Sequence, residues 1–161
     1  MEQIFFPIIN PTAIRLIGFV CVFVTLATFE ILAPRRKLLA SKAQRWSANL
    51  TLIALNPLSV ILIFPILPIG LSLFASEQGW GLLNQWALPY WLEVLIGVVV
   101  MDFVVYAQHV LHHAMPVLWR LHMIHHADLD FDMTTGLRFH PIEIIVSMVI
   151  KLSAVAALGA P

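Results

Sequence analysis

Charged residues are scarce in this 161-residue chain: Asp, Glu, Lys and Arg make up 11% of it, whereas 60% of the residues are hydrophobic. Soluble domains carry about 25% charged residues, and a mean hydropathy of +0.90 leaves too little polar surface to cover a water-soluble globule. The formal net charge is zero, so the basic excess typical of nucleic-acid-binding proteins is absent. The composition therefore excludes a cytosolic enzyme, a disordered segment and a nucleic-acid binder. It indicates an integral membrane protein.

Cysteine is almost absent too. The single Cys21 lies within an apolar stretch, so no intramolecular disulfide can form, and cysteine usage does not report the redox compartment. The start of the chain, Met1 to Gln3, lacks the positive charge that opens a signal peptide. We therefore expect the first apolar stretch to be a membrane span, and residues 1–161 to form a single membrane domain.

Four apolar stretches are long enough, or nearly so, to cross a bilayer as helices. They run from about Ala13 to Leu32, Ala48 to Phe74, Leu88 to Ala107 and Ile142 to Leu158. The second stretch contains Pro57, Pro65 and Pro68, so we expect a tilted helix, a broken helix or a shallow re-entrant pair there. The predicted fold class is an all-α membrane helical bundle with about three or four transmembrane helices.

The loops between these stretches differ in charge. The first loop carries five basic residues and no acidic one: Arg35, Arg36, Lys37, Lys42 and Arg45. The second loop, residues 75–87, carries Glu77 and no Lys or Arg. The positive-inside rule therefore predicts a cytoplasmic first loop. By alternation, residues 109–140 also face the cytoplasm.

All seven histidines lie between His109 and His140, where uniform scatter would place only about one or two. Two triplets share the spacing H-x-x-H-H, and the positions i, i+3 and i+4 of a helix lie on one face. Neutral imidazoles converging from two helices suit a transition metal, whereas Mg²⁺ and Ca²⁺ prefer oxygen ligands. The candidate metal ligands are His109, His112, His113, His122, His125, His126 and His140.

Other functions for such a cluster fit the sequence less well. The zinc-protease signature H-E-x-x-H is absent, and neither triplet contains a Glu placed as a general base, which weakens a membrane hydrolase. A pH sensor would not require the helical repetition. The alternative that we keep is a metal-binding membrane protein or metal transporter without oxygenase activity, although a transporter needs ligands within its spans.

The segment Asp102–Glu143 combines four motifs: D-F-x-x-Y, H-x-x-H-H, P-x-L-W-R-x-H-x-x-H-H and T-T-x-L-R-F-H-P-x-E. With this combination the chain closely resembles the fatty acid hydroxylase/sterol desaturase superfamily of membrane-bound, histidine-rich, non-haem di-iron enzymes. The resemblance implies a His-ligated di-iron centre that uses O₂ to hydroxylate or desaturate a sterol, fatty acyl chain or related lipid. It also implies a separate electron donor, and a location in the bacterial inner membrane or an endomembrane.

The resemblance assigns the histidines to boxes. His109 and His113 fill the first box, the triplet that begins at His122 fills the second, and His140 falls on the R-x-H-P-x-E element. Val110 stands where the first box commonly has Arg, and whether the additional His112 is a ligand stays open.

The family carries a further histidine box beyond another hydrophobic segment, and this chain ends before one. We therefore expect a member truncated at its C-terminus. We hypothesise that these 161 residues alone do not catalyse turnover, because two irons would be under-ligated.

Two carboxylates are candidates for orienting the imidazoles by accepting a hydrogen bond from the ring nitrogen that does not bind the metal. Asp102 lies about two helical turns before His109 on the same face, although a helix-end or arginine contact fits it equally well. Asp128 belongs to a run with Asp130 and Asp132 that we interpret mainly as a solvated loop, with contact to the metal site as the alternative.

The last motif opens the final predicted helix. His140 precedes a proline, so we expect it to be extended and to close over the site from a loop. Pro141 and Glu143 fit the first turn of a helix, where proline and acidic residues are favoured.

Overall fold

The computed structural model describes residues 11–159. The start of the chain, on which the expected absence of a signal peptide depends, lies outside this range. The described residues form α-helices, two short 3₁₀ turns and no β-strand, which confirms the predicted all-α class. The helices are α1 (Pro11–Leu32), α2 (Lys42–Ile63), α3 (Pro68–Gln78), α4 (Tyr90–Ala114), α5 (Pro116–His126) and α6 (Pro141–Leu158).

Four segments of the described chain are long and apolar enough to cross a membrane, which confirms the predicted membrane bundle. They are Ala13–Leu32, Lys42–Gln85, Tyr90–Ala114 and Pro141–Leu158. The third segment continues past the predicted end at Ala107, so that the first histidine triplet is part of α4.

The second segment is a broken helix, one of the three forms expected for it. Phe64 and Leu67 have extended backbones between α2 and α3. Each precedes a proline, and a residue before proline is disfavoured in the helical conformation. Pro68 then occupies the first turn of α3, where its missing N–H leaves no helical hydrogen bond unmade. Pro57, in contrast, is accommodated inside α2.

Helix α6 is the centre of the bundle. It packs against α2, α3, α4 and α5, and α4 also packs closely against α5. The hydrophobic part of α1 has none of its residues buried, and large apolar side chains are exposed along most of the other helices as well. An exposed apolar surface of this extent is expected when the bilayer, rather than water, is the solvent.

The connection from α3 to α4 docks on the C-terminal end of α6. The backbone N–H of Leu82 donates to the carbonyl of Ala157 over 3.1 Å. Gly81 has φ +90°, and a Cβ at this position would collide with the backbone of Gly159. This close approach therefore requires glycine at position 81.

The loop that follows α5 is tied to the start of α2 by a carboxylate cluster, which we define as Asp128, Asp130 and Asp132. Their side chains are 2%, 1% and 8% exposed. Arg45 binds the first and the last of them, and the backbone N–H groups of Leu39 and Ala40 donate to Asp130. The expectation of a solvated loop is therefore wrong, because the first loop and α2 supply donors that the local sequence does not show.

Hydrogen bonds keep these carboxylates ionised. Burial alone would raise the pKa of Asp128, but donors from Arg45, Thr135 and Asn49 outweigh it and hold the pKa at about 2. Burial also opposes ionisation of Asp132, whose pKa is nevertheless lowered, chiefly by hydrogen bonds from Thr134 and Trp46. The cluster is thus an ionised network that fastens the histidine-bearing segment to α2.

Candidate metal centre

The two histidine triplets lie at the ends of consecutive helices joined by a sharp corner. Met115, between α4 and α5, has an extended backbone (φ −98°, ψ 120°), and Pro116 occupies the first turn of α5. A residue before proline avoids the helical conformation, so the sequence itself breaks the helix at this point. The corner lets α5 fold back against α4 and bring its triplet to the first one.

His122 is the centre of the resulting histidine cluster, which we define as His109, His112, His113, His122, His125 and His126. Its ring centroid lies 4.8–5.5 Å from the centroids of the other five imidazoles. One nitrogen from each of His109, His113 and His122 lies within 4.8 Å of the others. The Nε2 atoms of His122 and His126 are 3.2 Å apart. Ring nitrogens from both triplets thus lie close enough together to bind a shared metal ion.

Glu143, in the first turn of α6, orients His122. Its Oε1 atom lies 2.7 Å from Nδ1 of His122, and the two side chains are 6% and 1% exposed. A carboxylate in this position accepts a hydrogen bond from Nδ1–H, so the proton stays on Nδ1 and the Nε2 lone pair is directed towards the cluster. Burial lowers the pKa of His122, and the hydrogen bond to Glu143 only partly offsets this. The ring is therefore neutral, the form that binds metals.

His112 is held in a matching way by the backbone. Its Nδ1 lies 2.8 Å from the carbonyl oxygen of Gln108, one turn earlier in α4. Its Nε2 is buried and has no hydrogen-bond partner among residues 11–159. A carbonyl can only accept, so Nδ1 carries the proton and Nε2 presents a lone pair. A buried nitrogen without a partner is costly, and a metal ion would satisfy it.

His125 packs against Phe139, two residues before the start of α6. Its ring stacks on Phe139 at 4.6 Å with an interplanar angle of 7°, and its Nδ1 is also buried without a partner among the described residues. Burial lowers the pKa of His125, together with the neighbouring imidazoles of His126 and His122, against a hydrogen bond to the backbone of Arg138. This imidazole is therefore neutral as well.

His140 lies apart from the cluster. Its backbone is extended (φ −70°, ψ 135°), as predicted, and it is the N-cap residue of α6. Its Nδ1 accepts a hydrogen bond from the backbone N–H of Ile142 over 3.1 Å. Within the described range its ring contacts none of the other six imidazoles, so its role as a ligand stays a prediction.

The two predicted orienting carboxylates are elsewhere. Asp102 is exposed on α4 and has no hydrogen-bond or ion-pair partner in residues 11–159. Asp128 bonds Arg45, Asn49 and Thr135 rather than an imidazole. The carboxylate that contacts the cluster is that of Glu143. The sequence predicted Glu143 only as a residue of the first turn of the last helix. The available signal was its position three residues after His140.

The donor set fits a transition metal. Several imidazoles face one another, two further buried nitrogens lack partners among the described residues, and hydrogen bonds to Glu143 and to a backbone carbonyl fix the orientations of two rings. Such nitrogen-rich sites suit iron, copper, nickel and zinc rather than Mg²⁺ or Ca²⁺. Together with the apolar helices, the cluster defines a class: an integral membrane protein with a histidine-rich candidate metal centre.

Within that class, comparison with known proteins shows which family the histidine segment is similar to. Residues 94–161 match the fatty acid hydroxylase family, and this segment contains all seven histidines and Glu143. The match confirms the resemblance that the histidine motifs indicated. No solved structure matches the chain.

One curated relative is the ornithine lipid hydroxylase OlsE of Rhizobium tropici. The two sequences are 31% identical over 78 residues, which are 48% of this chain and 23% of that protein. The chain thus spans about a quarter of the length of this relative.

Proposed function

We propose that this chain is part of a membrane-bound oxygenase that uses O₂ and a histidine-ligated di-iron centre to hydroxylate or desaturate a lipid. The observation that carries the proposal is the histidine cluster, in which Glu143 accepts a hydrogen bond from Nδ1 of His122. The fatty acid hydroxylase match and the lipid hydroxylase among the relatives support the same reaction class.

The residues that would hold the irons are the six of the histidine cluster, with His140 as a further candidate. Bound iron would supply the redox chemistry that activates O₂ for attack on an unactivated C–H bond. Neutral nitrogen ligands suit that task because they bind iron without adding buried negative charge. Hydrogen bonds to Glu143 and to the Gln108 carbonyl orient His122 and His112, and burial favours the neutral form of His122 and His125.

The location of the cluster suits a lipid substrate. His109, His112 and His113 lie in the last two turns of the span Tyr90–Ala114, so the site is at the end of a membrane helix rather than at mid-bilayer. A lipid would approach from the bilayer side, and electrons from a separate donor protein would arrive from the aqueous side. We place that side in the cytoplasm, because the basic first loop follows the positive-inside rule.

The substrate that we propose is a membrane lipid. The relative's name adds ornithine lipids to the sterols and fatty acyl lipids that the motifs suggest. We also propose that the spans and the histidine segment 102–143 form one membrane domain, since α6 carries Glu143 and packs against α2, α3 and α4.

Metal analysis tests this function directly. In detergent-purified protein, His122→Ala and His126→Ala should each lose most of the bound iron. Met123→Ala, a matched change on the exposed side of α5, should keep it. Iron contents equal to the wild type in both histidine variants would contradict the proposal.

Turnover tests separate the competing functions. Lipid-dependent O₂ uptake by the protein in vesicles with a reductase would identify an oxygenase. Metal flux across the vesicle membrane without O₂ uptake would instead identify a metal transporter, and anaerobic turnover would identify a hydrolase.

A further inference from the structure

A cavity of about 520 Å³ lies where the C-terminal end of α1 meets the basic first loop and the loop after α5. None of the residues that line it is a histidine, so it is separate from the candidate metal centre. Its volume is within the range of about 300–1,000 Å³ that is usual for small-molecule sites. Because α1 ends at Leu32, the cavity lies at the boundary of a membrane span.

Two of its lining cations have no carboxylate partner among the described residues. Arg35 makes no ion pair or hydrogen bond there, and the Lys42 ammonium lies 4.7 Å from the ring centroid of Trp46. The two lining aspartates, Asp130 and Asp132, are already bonded by backbone N–H groups and by arginine or tryptophan side chains. The charge available to a ligand at this wall is therefore positive, which favours a phosphate or carboxylate group.

Glu30, near the end of α1, favours a positively charged group that can donate a hydrogen bond. Its Oε1 accepts a hydrogen bond from the backbone N–H of Met133 over 2.8 Å. Its Oε2 is buried and has no partner within residues 11–159. A buried carboxylate oxygen is costly unless a donor bonds to it. Glu30 lines the cavity, which thus combines cations that lack a carboxylate partner with a carboxylate that has one unpaired oxygen.

Apolar side chains complete the cavity and favour a lipid over a soluble solute. Phe29, Leu38 and Phe131 all line it, and Phe131 is 78% exposed. A soluble phosphate or amino acid would gain little from these side chains, whereas the first carbons of a lipid chain would bury them.

We propose that this cavity binds the headgroup of a zwitterionic aminolipid. Its primary ammonium would donate to Oε2 of Glu30, and its phosphate or carboxylate would contact Arg35 and Lys42. The proposal does not depend on the metal centre, and its test needs neither iron nor turnover.

The test measures lipid binding by the full chain, with native mass spectrometry in detergent and added lipid. Phosphatidylethanolamine should bind about tenfold more tightly than phosphatidylcholine, whose quaternary ammonium cannot donate a hydrogen bond. It should also bind more tightly than phosphatidylglycerol, which has no ammonium. Equal binding of the three lipids would overturn the proposal, and so would equally tight binding of free phosphoethanolamine, which would indicate a soluble ligand.

Variants test which residue contacts the ammonium of the headgroup and which contacts its phosphate or carboxylate. Glu30→Gln keeps an acceptor for the Met133 N–H and should abolish the preference for phosphatidylethanolamine over phosphatidylglycerol. Arg35→Gln should weaken the binding of both lipids severalfold, and because Arg35 is exposed, this variant should fold normally. Lys37→Gln, in the same basic loop but outside the cavity, is the control and should bind as the wild type does. A Glu30→Gln protein with unchanged lipid preference would refute the proposal.

Discussion

Arg45 is the cation on which the attachment of the histidine segment to α2 most depends. Its Nε lies 2.6 Å from Oδ1 of Asp128, and its Nη2 lies 3.0 Å from Oδ2 of Asp132. The three side chains are between 2% and 8% exposed. Arg45→Met would preserve the bulk of the side chain. It would leave Asp132 without its cation and leave Asp128 with only the longer contact to Arg138, at 3.8 Å.

The structure sets the size of the expected effect. Removing one partner of a buried ion pair costs about 3–5 kcal/mol. Neutral donors from Asn49, Thr134 and other side chains would still bond both carboxylates after the substitution. We therefore expect a loss near the lower end, about 3 kcal/mol in the free energy of unfolding. This corresponds to about a 150-fold lower ratio of folded to unfolded protein.

Unfolding by SDS in mixed micelles, followed by tryptophan fluorescence and circular dichroism, measures this loss. Lys37→Met is the matched control because Lys37 is exposed and outside the cluster, and it should change the stability by no more than about 0.5 kcal/mol. Adding Asp128→Asn to Arg45→Met should restore part of the stability, since one uncompensated charge disappears. If Arg45→Met alone stays within about 0.5 kcal/mol of the wild type, the reasoning about the buried cluster is refuted.

Three further predictions concern other parts of the chain. Gly81→Ala should destabilise the protein by about 1–2 kcal/mol in the same assay, because of the positive φ and the collision of the new Cβ with the end of α6. Gly18→Ala is the control and should leave the stability unchanged, since nothing lies within 4 Å of its new Cβ. Acidification should destabilise the wild type as the pH falls below the ordinary carboxyl value of 3.8, because the pKa of Asp132 is lowered in the folded state. The stability that Asp132 contributes is therefore present above that pH and lost below it, and Asp132→Asn should reduce the loss in pH-dependent unfolding. Glu143→Ala should weaken iron binding about 10–100-fold in a chelator competition, whereas an unchanged affinity would show that Glu143 does not orient His122.

The helical class, the four spans and the grouping of the histidines follow from local features of the sequence. Long apolar stretches specify membrane helices because unpaired backbone groups are not tolerated in the bilayer. The two H-x-x-H-H triplets each place imidazoles on one helix face through spacing alone. The prolines at 65, 68 and 116 mark the helix breaks because they act on the residue directly before them.

Contacts between distant segments required the tertiary structure. Glu143 lies 21 positions from His122, and nothing in the periodicity of either helix shows that the packing of α5 and α6 brings the two together. The burial of the carboxylate cluster depends on partners on the first loop and α2. These partners lie about 80–90 positions earlier in the chain, so the local sequence does not show them. Sequence spacing determines which side chains share a helix face. Only the packing of the helices decides what each face meets, because their relative rotation and depth depend on all of their neighbours at once.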